Sequence, residues 1–476
     1  MRHSAITVAP RLAAVAVWAV GLGPAFFAVV LSPRGPADSG APAGWGLPTA
    51  QEGPAAWQLQ MGMGYLLATV ALLVGVLLFA LAGPRRPAGP VGAAVAAAAL
   101  GMYAGPVLSA LVGGHGGAGD WRLYLAPLTV AALYAAPRIR PAAMMRRVRA
   151  MLRVYTWGSL CALAVAPGWA LAASPIVNFR LPGLGSSRLV GVTTHPILLG
   201  VIASVALAVE LTPLYRSRRW PLHAGAAAAV LVLAQSRTAW LAAPLGLLLL
   251  YRRGGQHRVH PLLRRLLVLG IAACGAVLVP ALVAGAGQVL SDREVSTLHG
   301  RTAVWDMAMN AFRSDVLLGY GPTLFTDRSS PVQAVYSHAH SQLHQTLATS
   351  GLVGAAGLLL FAAAVVVAAA RGAAAGAGLP WALTAITVAT CVTEAPLRGV
   401  DFSPFLLLVL VLVSVLLAWS PGAPAALPGR RLPGPAAGAT DGAPPPGGAA
   451  PDRPRHSPAV LRQSTDAPPA PAKLAR

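Results

Sequence analysis

The sequence predicts an all-α, polytopic membrane protein of about twelve transmembrane helices with one large external loop. Three observations carry this. Of 476 residues, 56% are hydrophobic and only 11% charged, with a mean hydropathy of +0.63; a soluble chain carries roughly a quarter charged residues to solvate its surface. Apolar runs of about 20 residues recur, which excludes an ordinary water-soluble enzyme and a disordered chain alike. Finally, the basic residues segregate to alternate connections between those runs, as the positive-inside rule requires.

The apolar runs are 12–32, 61–83, 91–113, 122–137, 152–174, 190–211, 221–234, 238–251, 266–289, 347–370, 379–396 and 404–419. The first is too long for the core of a cleaved signal peptide and lacks a small-x-small site before Pro33, so it reads as an uncleaved helix. The run 122–137 and the hairpin 221–251 are short. Between 122–137 and 152–174, Arg138, Arg140, Arg146, Arg147 and Arg149 make the strongest basic connection. With a cytoplasmic N-terminus, 26 of the 36 Arg/Lys and four of the 14 acids are cytoplasmic, leaving ten of each outside. The net charge of +22 therefore sits wholly on one side, which explains it without a nucleic-acid partner. Cys161, Cys274 and Cys391 all fall in apolar runs, so neither a disulfide framework nor a zinc motif is readable. Residues 1–420 read as the transmembrane domain. From 421 to 476 the chain holds 14 of the 42 prolines amid Ala and Gly, which predicts a disordered cytoplasmic tail. Both termini are then cytoplasmic.

The external loop 290–347 differs from the rest. It concentrates five of the ten external acids and four of the eleven histidines, His299, His338, His340 and His344. Loops of this size on a rigid scaffold carry function. Trp305, Ala308, Met309 and Phe312 fall at i, i+3, i+4 and i+7, predicting a helix at the membrane surface with Trp305 at headgroup level. Gly319, Gly321 and Pro322 break the chain. Ser337 is a candidate cap for a further helix from near His338, which sets His340 and His344 on one face.

Arginines near hydrocarbon need an anion or carbonyl partner. Arg188, Arg237 (within Gln235-Ser236-Arg237-Thr238) and Arg301 all stand at the outer ends of helices, with the histidines nearby. A guanidinium fork matches a diphosphate bidentately, and an imidazole can deprotonate an acceptor hydroxyl. The pattern suits transfer of a glycosyl group from a lipid-linked diphosphate, without metal or other cofactor. Plainer roles compete for each residue: snorkelling for Arg237 and Arg188, pairing with Glu294 for Arg301, helix initiation for His195, and a structural ion pair among Glu394, Arg398 and Asp401. A zinc site on His340 and His344 lacks a third ligand at motif spacing.

Taken together, Gly300-Arg301, Trp305, Leu318-Gly319-Tyr320-Gly321-Pro322, His338-Ala339-His340, Gln342-Leu343-His344-Gln345 and Gly351-Leu352-Val353-Gly354 resemble the signature of the O-antigen ligase/polymerase family. Arg188-Leu189-Val190-Gly191 with Thr194-His195-Pro196, and Ser236-Arg237-Thr238-Ala239, resemble its two earlier motifs, so the likeness spans about 188–354. The resemblance implies a GT-C-like fold and a membrane glycosyltransferase. Its donor is a glycan on undecaprenyl diphosphate at the outer face of the cytoplasmic membrane, and its acceptor a glycan or lipid. By the same resemblance His340 matches the general base, Arg237 and Arg301 the essential arginines, and Arg188 a further basic position. His338, His195 and Trp305 are expected at the substrate. The family commonly has Asn after the base; here Ser341 offers a hydroxyl without an amide's two-sided contact. Two other readings remain at this stage: a solute transporter or transport accessory, and a non-catalytic scaffold for polysaccharide assembly. The motifs do not separate ligase from polymerase, nor name the sugar.

Overall fold

The computed structural model describes residues 89–113, 117–135, 141–173, 187–193, 195–212, 217–253, 301–327, 330, 332, 338–374, 378–398 and 405–418. They belong to the first of two units, Met1–Pro424; the second, Ala425–Arg476, lies outside the described residues, as do the predicted helices 12–32, 61–83 and 266–289 and the Ser337 cap.

The described chain is mostly helical. Its elements are α1 (Pro90–Val112), a 3-10 turn (Trp121–Tyr124) leading into α2 (Leu125–Ala135), α3 (Pro141–Val165), a single turn (Pro167–Ala170), β1 (Leu171–Ala173), β2 (Ser187–Leu189), α4 (Pro196–Leu211), α5 (Trp220–Leu233), α6 (Arg237–Arg253), α7 (Arg301–Ser314), α8 (Gln342–Ala374), α9 (Leu379–Thr393) and α10 (Phe405–Ala418). Among the described residues, α1 and the 342–372 part of α8 are long and apolar enough to cross a membrane; α4, α5 and α9 are shorter apolar helices. The expected number of twelve spans is thus met only in part by what is described.

Three boundaries depart from expectation. The run read as 152–174 begins at Pro141, taking in Arg146, Arg147 and Arg149 of the basic connection, because Arg is a good helix former and Arg149, like Arg153 in the run itself, finds a buried partner. Arg153 grips the Glu210 carboxylate at 2.6 and 2.9 Å, while buried Arg149 donates to the carbonyls of Val209 and Thr212 at the end of α4. The same run stops at Val165, and residues 171–173 instead pair antiparallel with 187–189, Ala172 opposite Arg188. An all-helical expectation does not include this strand pair, since three-residue strands carry too short an alternation to read. Last, α4 starts at Pro196 rather than 190, after a turn that needs the positive φ (55°) of Gly191.

Small residues set the helix contacts. The most extensive is α1 on α8, where a Cβ on Gly105 would lie 2.9 Å from the Gly354 Cα and one on Gly357 would lie 2.8 Å from the Met102 Cα. With no gain from moving apolar surface between lipid and protein, such close backbone packing holds helices together. α9 packs along α6, with Gly246 facing Ile386, and α4 meets α6 where Gly200 faces Ser236 and Ala239.

A candidate active site on a buried glutamate

α8 is broken near its start. Gly351 has φ 57° and ψ −151°, a conformation open essentially to glycine alone. The turn after α7 fills the break: Leu352 and Val353 donate to the carbonyls of Val316 and Leu317, and Tyr320 donates to Ala348. Asp315 Oδ1 accepts from the backbone N–H groups of Leu317 and Leu318, holding that turn. The two glycine-bearing motifs therefore meet each other, with Gly319 against the Gly351 nitrogen.

This docking fixes α7 over the start of α8. The buried face of α7 is Val304, Ala308 and Ala311, one residue off the predicted stripe, and it packs on Leu324, Phe325, Ala339 and Ala348. Trp305, expected at headgroup level, stacks on His344 with centroids 5.0 Å apart, and its Nε1–H donates to the Ala339 carbonyl at 2.9 Å. From the other side the Ala339 N–H donates to Gln345 Oε1. The segment His338-Ala339-His340 is thereby clamped between α7 and α8. α8 begins at Gln342, four residues later than expected, so His340 precedes it with φ 50° and does not share a helical face with His344, whose Nδ1 lies 3.0 Å from Ser341 Oγ.

Both clamped histidines turn to Glu394, the C-cap of α9, whose side chain is 3% exposed. His338 Nε2 is 2.9 Å and His340 Nδ1 3.2 Å from its Oε2, while Arg301 Nη2 is 3.2 Å from its Oε1. Burial alone raises the Glu394 carboxyl, but the hydrogen bonds with the two imidazoles outweigh it and hold the group below the usual carboxylate range. The site is tied to α6 through Thr238 and Thr393, whose hydroxyls are 2.7 Å apart, and to α8 by Leu397 N–H donating to Gln342 Oε1.

Arg237 opens α6 one residue from that Thr238 contact and is exposed. Arg188 is 9% exposed on β2, with Nε donating to the Ala234 carbonyl just beyond the end of α5. Burial, then the nearby Arg237 charge, lowers it to about 10. His195 caps α4, its Nδ1 accepting from Ile197 N–H. Burial pushes it down to about 4; the fields of Glu394, Arg188, His338 and His340 reach it too, so it belongs to the same cluster. His338 is lowered to about 4, by burial first and then by Arg398.

The seven expected residues thus gather at one end of the helices: His338, His340 and Arg301 on one carboxylate, Trp305 against the clamp, His195, Arg188 and Arg237 around them. Glu394 was not among the expected site residues; a structural ion pair among Glu394, Arg398 and Asp401 was the reading of that loop. Glu294, the plainer partner weighed for Arg301, lies outside the described residues. A lone acid closing an apolar run was the available signal, since burying it demands partners. The Glu394, His338 and His340 donor atoms lie within 4.8 Å of one another, close enough for one metal ion. They spend that proximity on mutual hydrogen bonds, and Arg301 and Arg398 add positive charge where a cation would sit.

The histidines and arginines of this cluster thus share one end of largely apolar helices with a buried carboxylate. Residues 222–359 match the family model O-Antigen ligase, and a likeness to that family over this part of the chain fits a membrane glycosyltransferase of polysaccharide assembly. The match takes in Arg237, Arg301, Trp305, His338 and His340, and leaves Arg188, His195 and Glu394 outside it. No curated protein matches the chain.

Proposed function

We propose that the chain is an inverting, metal-independent glycosyltransferase that moves a glycan from a polyprenyl diphosphate to an acceptor hydroxyl at the outer face of the cytoplasmic membrane, with both termini cytoplasmic. The observation that carries this reading is the meeting of His340 and Arg301 on the two oxygens of one buried carboxylate. A base and a guanidinium are then only a few ångströms apart, the separation between an attacking hydroxyl and a leaving diphosphate. His340 removes the acceptor proton; Arg301 and Arg237 neutralise the diphosphate as its bond to the sugar breaks, and Arg188 adds charge behind them. Trp305 and His338 serve mainly to hold the base, and His195 to start α4. Ligation and polymerisation share this chemistry and differ in the acceptor, a glycan or a lipid.

The test is transfer by purified full-length protein from a labelled polyprenyl-diphosphate glycan. The wild type should release the diphosphate carrier and elongate the acceptor, and His340→Ala should do neither. A fully active His340→Ala rules the assignment out. A transporter would share one feature, the break in α8 at Gly351. That break is filled by the backbone of residues 316–320, not by ionisable groups, which favours the enzyme.

A further inference from the structure

We infer that Glu394 is the positioning residue that makes His340 the base, by fixing its Nδ1–H tautomer and stabilising the imidazolium formed on proton transfer. The inference rests on the glycosyltransferase reading of this site. An ionised carboxylate only accepts hydrogen bonds, so each nitrogen facing Oε2 must carry the proton. His338 therefore presents Nε2–H, and His340 presents Nδ1–H, at 2.9 and 3.2 Å. In a neutral ring this puts the His340 lone pair on Nε2 and the His338 lone pair on Nδ1. One oxygen thus gives two adjacent histidines opposite tautomers, with ring centroids 4.0 Å apart. The clamp on Ala339 and the left-handed backbone of His340 keep the second ring in that register.

In the reaction the acceptor O–H bond breaks and its proton moves to His340 Nε2 while the oxygen bonds the anomeric carbon. The bond from that carbon to the diphosphate oxygen breaks, and its electron pair leaves with the diphosphate. His340 then carries a positive charge 3.2 Å from Glu394, and returns its proton to the diphosphate or to water. Glu394 keeps its own charge throughout, as its depressed protonation supports. Around His340 the described titratable or charged groups are His338 on its own segment, Glu394 on α9 with Arg398 beyond it, Arg301 on α7, His195 at α4, and Arg188 on β2.

Glu394→Gln tests this in the full-length protein, with thermal melting as the folding control. The carboxamide keeps the shape but loses the charge and can turn a donor toward the rings. We expect kcat to fall about 100-fold or more with donor KM changed less than about threefold, since a merely structural defect would weaken donor binding as well. A Glu394→Gln enzyme within threefold of wild-type kcat, or one whose loss lies in donor KM rather than kcat, overturns the inference. Should the Gln variant not fold, Glu394→Asp carries the test. It retains charge but withdraws it by about one methylene, so kcat should fall roughly tenfold or more; wild-type kcat overturns the proposal. A silent Glu394 variant beside an inactive His340→Ala sinks this inference alone, whereas an active His340→Ala sinks the reading beneath it.

Discussion

A carboxylate removed from water must take its hydrogen bonds from the protein, and Glu394 takes three, from two histidines and an arginine. Substituting Arg301 by Lys should lower turnover by about tenfold or more, since an ammonium reaches one acceptor where the fork reaches two; kcat measured at saturating donor decides it, and wild-type turnover would mean that bulk charge suffices. The buried histidines also make stability depend on pH. His195 and His338 sit at about 4 in the folded chain against 6.5 for an exposed imidazole, so the unfolded chain binds more protons between those values. Their contribution is whole above about pH 6.5 and drains away as pH falls towards 4, by up to about 1.4 kcal/mol per pH unit for each ring. Glu394, held below the usual carboxylate range, extends the loss to still lower pH. His195→Asn should flatten part of the fall, because Asn still caps α4 but does not titrate. Thermal melts from pH 7 to 4 measure this, and an unaltered slope contradicts the assignment.

At the scale of elements, two junctions are exposed to single changes. Glu210 answers Arg149 and Arg153 where α3 meets α4. Glu210→Ala leaves Arg149, 4% exposed, without its carboxylate, and should cost about 3–5 kcal/mol; the midpoint of thermal unfolding in detergent reads it. At the break in α8, a Cβ on Gly351 would fall 2.4 Å from the Leu317 carbonyl in a backbone that costs a non-glycine about 1–3 kcal/mol. Gly351→Ala should unseat the 316–320 turn and, with it, α7 and Arg301, so transfer should drop even though residue 351 touches no catalytic group; activity together with proteolytic sensitivity of the loop checks this. The sequence announced these elements unevenly. Long apolar runs located α1, α5, α6, α9 and α10, and the end of α4, to within a few residues, because burial and lipid both demand them. The start of α3 was hidden, since its arginines read as solvated until Glu210, 57 residues beyond Arg153, supplied the partner.

Across the molecule, the chemistry collects at one end of the α6 and α9 pair, while Arg252 and Arg253 close α6 at the other. Positive charge at the site comes from fixed guanidinium groups, so transfer should change less than about twofold on adding EDTA; a larger loss, restored by one divalent metal, would instead put an ion among His338, His340 and Glu394. The histidines and arginines of the site were legible as motifs. Their common partner was not, because Glu394 stands 54 residues beyond His340 and no local spacing links them. The antiparallel return of α9 along α6, pinned by Thr238 and Thr393, brings the acid to the histidines.

The mended break in α8 also offers a way to watch the candidate site without substrate. The amides of Leu352 and Val353 are sealed by carbonyls from a different segment, so they can trade hydrogen for deuterium only when the 316–320 turn lifts away. Their exchange rate would then report how often the platform beneath Arg301 and His340 comes undone.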